Sequence, residues 1–297
     1  MSRWLLPWVL LSLSACSGGA SETAPVTVVS AADDVVTTVV DQTTEVVDTT
    51  TSAVGTNPPS SNFDLSHWYL TLPSADIVPV DALNSGYVSP GEFFTDPDTG
   101  GMVFRCPNLA GTTTNSHYSR TELREMLAPG LSASADANNW TTADGGTLRA
   151  TLRVDHVSTT GDSAKVGRVV IGQIHGPISE PIRLYYRKTP GEARGRIYAG
   201  LDDAGDGSSF SPDIVDNDGS GGIALGETFS YEITLVDIEL SVAIRHGGVT
   251  DTFTTPIDPA FRGLNLYFKA GVYNQNNTGT AEDYVQATFF ALTHTHP

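Results

Sequence analysis

The chain has 297 residues, with 16 Lys and Arg against 34 Asp and Glu, a formal charge of −18. That length allows one large domain or two modest ones, with a core that needs no disulfide or metal staple. So acidic a balance argues against sequence-independent nucleic-acid binding, which depends on Lys and Arg neutralising phosphates, and two cysteines exclude a disulfide framework.

Arg3 and the apolar run from Trp4 to Leu13 have the form of an export signal and are too short to span a bilayer. Leu13-Ser14-Ala15-Cys16 follows and resembles the bacterial lipobox, in which cleavage leaves the cysteine as a lipidated N-terminus. Ordinary secretion, with Cys16 incidental, is the alternative. Ser17 after the cysteine, where inner-membrane retention is associated with aspartate, implies outer-membrane or cell-surface delivery. The expectation is a lipoprotein that meets the membrane only through its lipid. Cys106 is then a lone thiol, expected to be a small buried hydrophobe.

Residues 17–61 contain no Lys, Arg or aromatic residue and repeat Thr, Val, Ser and Asp without a stable period. Nothing in them can build a core, so a flexible tether is expected. Six of the acids lie there, which leaves 28 acids and 15 bases in residues 62–297. From Asn62 the composition changes, and the segments become short, β-like and punctuated by turn signals such as Asp144-Gly145-Gly146. Strands are predicted at 147–154, 165–175, 182–187, 196–200, 229–235, 240–245, 264–275 and 284–294. Many short strands at this spacing predict an all-β, antiparallel sandwich. Residues 202–222, rich in Gly, Asp and Ser, are predicted to form a loop.

Three segments carry chemistry. On a strand, Arg120, Glu122 and Arg124 share one face, which presents cation, anion, cation. Taken alone, a solvated salt-bridge ladder explains that pattern, and a helix over 122–126 is an alternative. Gln173 and His175 share a face at the end of an apolar strand, an amide beside a group that titrates near neutrality. A hydrogen-bonded histidine at a strand end is the bland reading of that pair. Tyr267, Lys269, Gly271, Tyr273 and Gln275 share a face, with Phe268, Ala270 and Val272 on the other. Gly271 removes bulk from the middle of the polar row, as close approach of a ligand would require.

Together the three segments resemble the alginate lyases of polysaccharide lyase family 7, whose motifs run R-[ST]-E-L-R, Q-[IV]-H and Y-x-K-A-G-x-Y-x-Q. Here they stand at 120–124, 173–175 and 267–275, in the family's order. The resemblance covers 62–297, including Phe63-Asp64-Leu65-Ser66-His67-Trp68-Tyr69-Leu70-Thr71-Leu72-Pro73. It implies a β-jelly roll with a concave cleft for an anionic polysaccharide, no cofactor, and a monomer. It also implies β-elimination at a uronate. Removing the proton at C5 builds a dianionic enolate, whose charge must be met by preorganised donors. Arg120 and Gln173 match the positions given that role. His175 could donate, or take the proton as neutral imidazole. Tyr273 is expected to protonate the leaving O4, its phenol made more acidic by surrounding cations. With mannuronate (syn elimination) Tyr273 serves as base and acid. With guluronate (anti) His175 is the base and Tyr273 the acid. Glu122 is expected to orient the two arginines. Arg124 and Lys269 are expected to hold neighbouring carboxylates, and Tyr267 and Gln275 to contact sugar. Ile174 between Gln173 and His175 implies acceptance of guluronate-containing blocks.

Two rivals remain at this stage. A jelly-roll glycoside hydrolase needs two carboxylates flanking the bond, but Glu122 and Glu125 fall on opposite strand faces. A non-catalytic sugar-binding lipoprotein needs the cationic and aromatic contacts without a reactive phenol. No metal is expected. Asp216-Asn217-Asp218-Gly219 lacks the final Glu of a calcium loop, and His294 and His296 share a face without a third ligand.

Overall fold

The computed structural model describes residues 57–204, 209–218 and 221–297, so the expected signal segment, Cys16 and the tether up to residue 56 lie outside the described residues. The last residues assigned to the tether already pack on the domain. Asn57 accepts a hydrogen bond from the backbone N–H of Thr95, and Pro59 is buried.

Sixteen strands occur among the described residues. They are β1 (Trp68–Thr71), β2 (Ile77–Val78), β3 (Phe93–Thr95), β4 (Met102–Pro107), β5 (Arg120–Glu125), β6 (Gly146–His156), β7 (Arg168–His175) and β8 (Ile182–Arg187). The chain continues through β9 (Arg196–Asp202), β10 (Ser209–Phe210), β11 (Asp213–Val215), β12 (Phe229–Val236), β13 (Glu239–His246), β14 (Val249–Pro256), β15 (Tyr267–Asn274) and β16 (Tyr284–Thr295). All pairings are antiparallel. One sheet runs β10-β9-β8-β7-β15-β5-β1-β2, with β11 also on β9, and the other runs β14-β13-β12-β6-β16-β4-β3. The two sheets form the predicted sandwich, of jelly-roll type. The predicted loop over 202–222 contains β10 and β11, both paired to β9. They are too short for any alternation to show in the sequence.

In the second sheet β6 and β12 alternate strictly. Leu148, Ala150, Leu152 and Val154 of β6 turn inward with Phe229, Tyr231, Ile233 and Leu235 of β12, while Arg149 and Glu232 face out. Such a sheet has one apolar and one wet face. The first sheet is different. All six residues of β5 are buried, and on β15 only Tyr267 is partly exposed. Its inner face meets the core through Leu123, Ile174, Phe268 and Val272. Its outer face is closed by packed polar and aromatic side chains.

Two irregularities set the phase of that outer face. β7 slips against β8 between Val170 and Gly172, so Ile171 joins the core while Val170 packs beside Tyr273 outside it. Tyr231 donates from its hydroxyl to Ile171 O at 3.0 Å, and a Cβ on Gly172 would stand 2.8 Å from the same hydroxyl oxygen. β15 slips against β7 between Ala270 and Tyr273. Gly271 there has φ +137°, and a Cβ would lie 2.6 Å from Thr121 O and 3.0 Å from Phe104. This corrects the expected role of Gly271. It admits the backbone of β5 and a core ring, not a ligand, and it permits a bulge beside the site.

The inner face of β5 also ties down the end of the chain. Glu125, fully buried, accepts from Trp140 Nε1 at 2.9 Å and Phe268 N at 3.0 Å on one oxygen. Its other oxygen meets His294 Nδ1 and, at 2.8 Å, His296 Nε2, while His296 Nδ1 faces Gly145 O at 2.8 Å. The two histidines predicted to share a face thus do so with Glu125, which the sequence did not connect to them. Burial alone would raise the Glu125 carboxyl, but the two imidazoles outweigh it and bring it to about 2. That contribution to stability is present above the ordinary 4.5 and disappears as pH falls toward 2, a difference of about 3 kcal/mol. His296 is raised despite its burial, chiefly through Glu125, so its share is complete below 6.5 and fades as pH rises beyond. The melting temperature is therefore expected to be highest between about pH 4.5 and 6.5. In Glu125→Gln, thermal melts across pH should lose that maximum and lie lower throughout.

Candidate active site

The sheet order places β7, β15 and β5 side by side, so the three motifs become one surface. Lys269 lies opposite Arg124 on one flank and Gln173 on the other; Gly271 opposes Glu122, Tyr273 opposes Arg120, and Tyr267 opposes His175. Glu122, 1 % exposed, is the hub. Its carboxylate meets Arg120 Nη1 at 3.0 Å and Lys269 Nζ at 2.8 Å, and accepts from Gln173 Nε2. Arg120 lies over the Tyr273 ring, 3.8 Å from its centroid, and donates from Nη2 to Ser116 Oγ at 3.1 Å. Ser116 Oγ in turn is 2.8 Å from the Tyr273 hydroxyl. A continuous hydrogen-bonded chain thus joins Gln173, Glu122, Arg120, Ser116 and Tyr273.

His175 stands at the sheet's end, outside that chain. It stacks on Tyr267 at 5.0 Å between centroids, its Nδ1 faces Gly176 O at 2.7 Å, and its Nε2 lies 3.2 Å from Glu180 Oε1. Burial and the nearby Lys269 cation push the imidazole down to about 3, so it is neutral across the ordinary pH range. Nδ1 then donates to Gly176 O and Nε2 keeps its lone pair. The facing Glu180 carboxyl is raised above its ordinary range, chiefly by burial.

The expected roles of the remaining residues need correction. Glu122 contacts one arginine, not two. Arg124 turns away from it, donating to the backbone carbonyls of Glu125, Asn138 (3.1 Å) and Ala133 (3.3 Å) and to Asn139 Oδ1, with its guanidinium 3.9 Å from the Tyr267 ring. It braces the 126–139 loop, so little of its hydrogen-bonding capacity is left for a sugar carboxylate. Lys269 is 6 % exposed and committed to Glu122; burial and the Arg120 cation lower its ammonium to about 8. Gln275 is likewise buried, accepting from the Tyr185 hydroxyl at 3.4 Å. Tyr267 lies within reach of solvent and lines a hollow of about 440 Å³ with Tyr69, Arg124, Asn139 and His175. A hollow of about 390 Å³ near His67 and His294 includes none of the motif residues.

The family profile described as alginate lyase (Alginate_lyase2) matches residues 63–296. The chain is 41 % identical to an alginate lyase of Klebsiella pneumoniae over 80 % of its own length and 91 % of that protein. The chain belongs to the alginate lyase family. Its fold is similar to the crystal structure of the alginate lyase from Klebsiella pneumoniae, with a TM-score of 0.76 at 38 % identity over 81 % of this chain and 99 % of that one. It is also similar to a doubly substituted form of the family 7 alginate lyase A1-II′ in complex with substrate (GGMG), with a TM-score of 0.65 at 29 % identity over 80 % and 96 % of the two chains.

For an alginate lyase the sequence reading missed several residues on the same face. Ser116 sits in a loop and belongs to no motif. Tyr185 and Tyr198 stack at 4.6 Å between centroids beside Tyr273. Their signal was present, since Arg183, Tyr185 and Arg187 alternate on β8, and Arg196 and Tyr198 on β9, as the motif residues do. Glu180 could not have been found, because only the turn after His175 brings it back.

Proposed function

We infer that this alginate lyase breaks the 4-O-glycosidic bonds of alginate by β-elimination at the Glu122 hub. The carrying observation is its charge. Arg120 and Lys269 contribute two buried positive charges and Glu122 one negative, leaving a net +1 that one uronate carboxylate would neutralise. Arg120 Nε is buried without a hydrogen-bond partner among the described residues, a donor that a bound acceptor would satisfy. Arg120 and Gln173 hold the C5 carboxylate and meet the enolate charge as it forms. Lys269 acts through Glu122, setting the charge of the hub without touching sugar. Tyr273 supplies the proton to O4, and with mannuronate first removes the one at C5. With guluronate His175 takes that proton at Nε2, for which its neutral form is required. Tyr267 and Arg124 form a wall for the adjoining sugar.

We read the preference as guluronate-containing blocks, supported by Ile174 and by a neutral His175 able to act as base. Incubation with separate polyguluronate and polymannuronate should yield unsaturated uronates that absorb in the ultraviolet, faster with the first. His175→Asn should cut the polyguluronate rate by about 100-fold or more and the polymannuronate rate far less. The wild-type profile should show no inflection near 6.5 from this residue. Equal losses on both polymers would remove His175 as a guluronate-specific base, and products without ultraviolet absorbance would exclude elimination.

We also propose that the protein is exported as a lipoprotein carrying lipid on Cys16, delivered to the outer membrane or cell surface, and that it acts as a monomer. Metabolic labelling with a fatty-acid analogue should mark the wild type and not Cys16→Ala, which should appear in the soluble fraction. Labelling of neither would favour plain secretion.

A further inference from the structure

Ser116 lies in the loop between β4 and β5, and its hydroxyl has more neighbours than it can serve. Four polar atoms stand within hydrogen-bond distance of Oγ: Tyr118 O at 2.9 Å, Tyr118 N at 3.2 Å, Arg120 Nη2 at 3.1 Å and Tyr273 Oη at 2.8 Å. A hydroxyl has one proton and two lone pairs. The N–H groups of Tyr118 and Arg120 can only donate, and together they occupy both lone pairs. The single proton is then contested between the Tyr118 carbonyl and the Tyr273 oxygen.

Those two positions correspond to two charge states of Tyr273. With the serine proton on Tyr118 O, no lone pair of Ser116 is left to receive the phenol, so the Tyr273 proton turns toward the cleft. With Tyr273 ionised, the serine proton swings to the phenolate, on which Arg120 already stacks. The loop backbone is fixed on both sides of the serine, through Ser116 N to Thr113 O at 2.9 Å and Asn277 Nδ2 to His117 O at 3.0 Å. The freedom is therefore in the hydroxyl alone.

We propose that Ser116 is a positioning residue whose hydroxyl proton follows the charge on Tyr273 through each turnover. The C5 proton goes first to the Tyr273 phenolate with mannuronate, or to His175 Nε2 with guluronate. As the C5–H electrons then form the C4=C5 bond and the C4–O4 pair leaves with O4, the Tyr273 proton passes to O4. The phenolate that remains is held by Ser116 and Arg120 until a proton returns from C5 of the next mannuronate or, with guluronate, from water. The proposal rests on Tyr273 being the proton carrier, as inferred above.

The test compares Ser116→Ala, Ser116→Thr, Tyr273→Phe and the Ser116→Ala/Tyr273→Phe pair on an alginate oligomer, measuring kcat, KM and the pH profile. Losing one hydrogen bond to a charged oxygen should lower kcat about 10- to 100-fold in Ser116→Ala, with KM within threefold. The limb governed by Tyr273 should move to higher pH, Ser116→Thr should restore both, and Ser116→Ala should cost nothing further in the Tyr273→Phe background. A kcat within twofold of wild type would overturn the proposal. So would a lower kcat with an unmoved limb, or an added loss in the double variant. A fully active Tyr273→Phe would overturn the reading of Tyr273 beneath it, an outcome told apart because it involves no change at Ser116.

Discussion

Tyr273→Phe should reduce turnover by at least about 1,000-fold while leaving oligosaccharide affinity within a few-fold and the fold intact. The ring keeps its packing against Val170, Tyr185 and Tyr198 and its place beneath Arg120. Only one hydrogen bond, to Ser116, is removed, worth about 1 kcal/mol of stability. The catalytic loss is out of proportion to this because O4 leaves as an alkoxide unless protonated. The hydroxyl beside Tyr273, on Ser116, is engaged by Arg120 and the Tyr118 backbone. The comparison separates the reading from both rivals. A sugar-binding protein has no rate to lose, and a hydrolase would rely on paired carboxylates. Glu122 has both oxygens occupied, and Glu125 faces the core, so neither is placed to flank a glycosidic bond. Initial rates by ultraviolet absorbance with calorimetric binding of the same oligomer would measure the two effects. A fully active phenylalanine variant would remove the phenol from the mechanism.

Much of this site is legible in the sequence because strand alternation alone puts Arg120 with Glu122, Gln173 with His175, and Lys269 with Tyr273. That the three segments are neighbours follows from no local pattern, and family resemblance supplied the link. What alternation could not give is the consequence of burial. A row of charges on a strand reads as a solvated ladder, yet here it is 8 % exposed or less, so Lys269 and Arg124 are consumed by partners inside the protein. Bulges are equally hidden. Strict alternation puts Ile171 with Gln173, whereas the slip after Val170 sends it to the core and leaves Gln173 on the outer face. Ser116 and Glu180 come from loops, where spacing carries no phase.

Glu122→Gln should be the most damaging single change to both stability and activity. In the wild type the hub holds Arg120 and Lys269 around one carboxylate, and opposing contributions set its proton. Burial raises the Glu122 carboxyl, but Lys269 and Arg120 more than reverse this and hold it below the usual carboxylate range. Replacing the carboxylate by an amide takes the buried charge from +1 to +2, and, because Arg120 and Lys269 share one carboxylate oxygen, the amide nitrogen falls opposite the Gln173 donor. Removing one member of such a group costs about 3–5 kcal/mol, which for a domain of this size lowers the melting temperature by about 10 °C. Arg120 and Gln173 lose their common anchor at the same time, so turnover should fall below detection. Adding Lys269→Met restores the buried charge to +1. The Glu122→Gln/Lys269→Met pair should therefore recover a good part of the lost melting temperature and none of the activity, since Arg120 remains unanchored. If the pair melts no higher than Glu122→Gln alone, charge balance is not what the hub contributes, and its hydrogen-bond geometry would have to account for the loss.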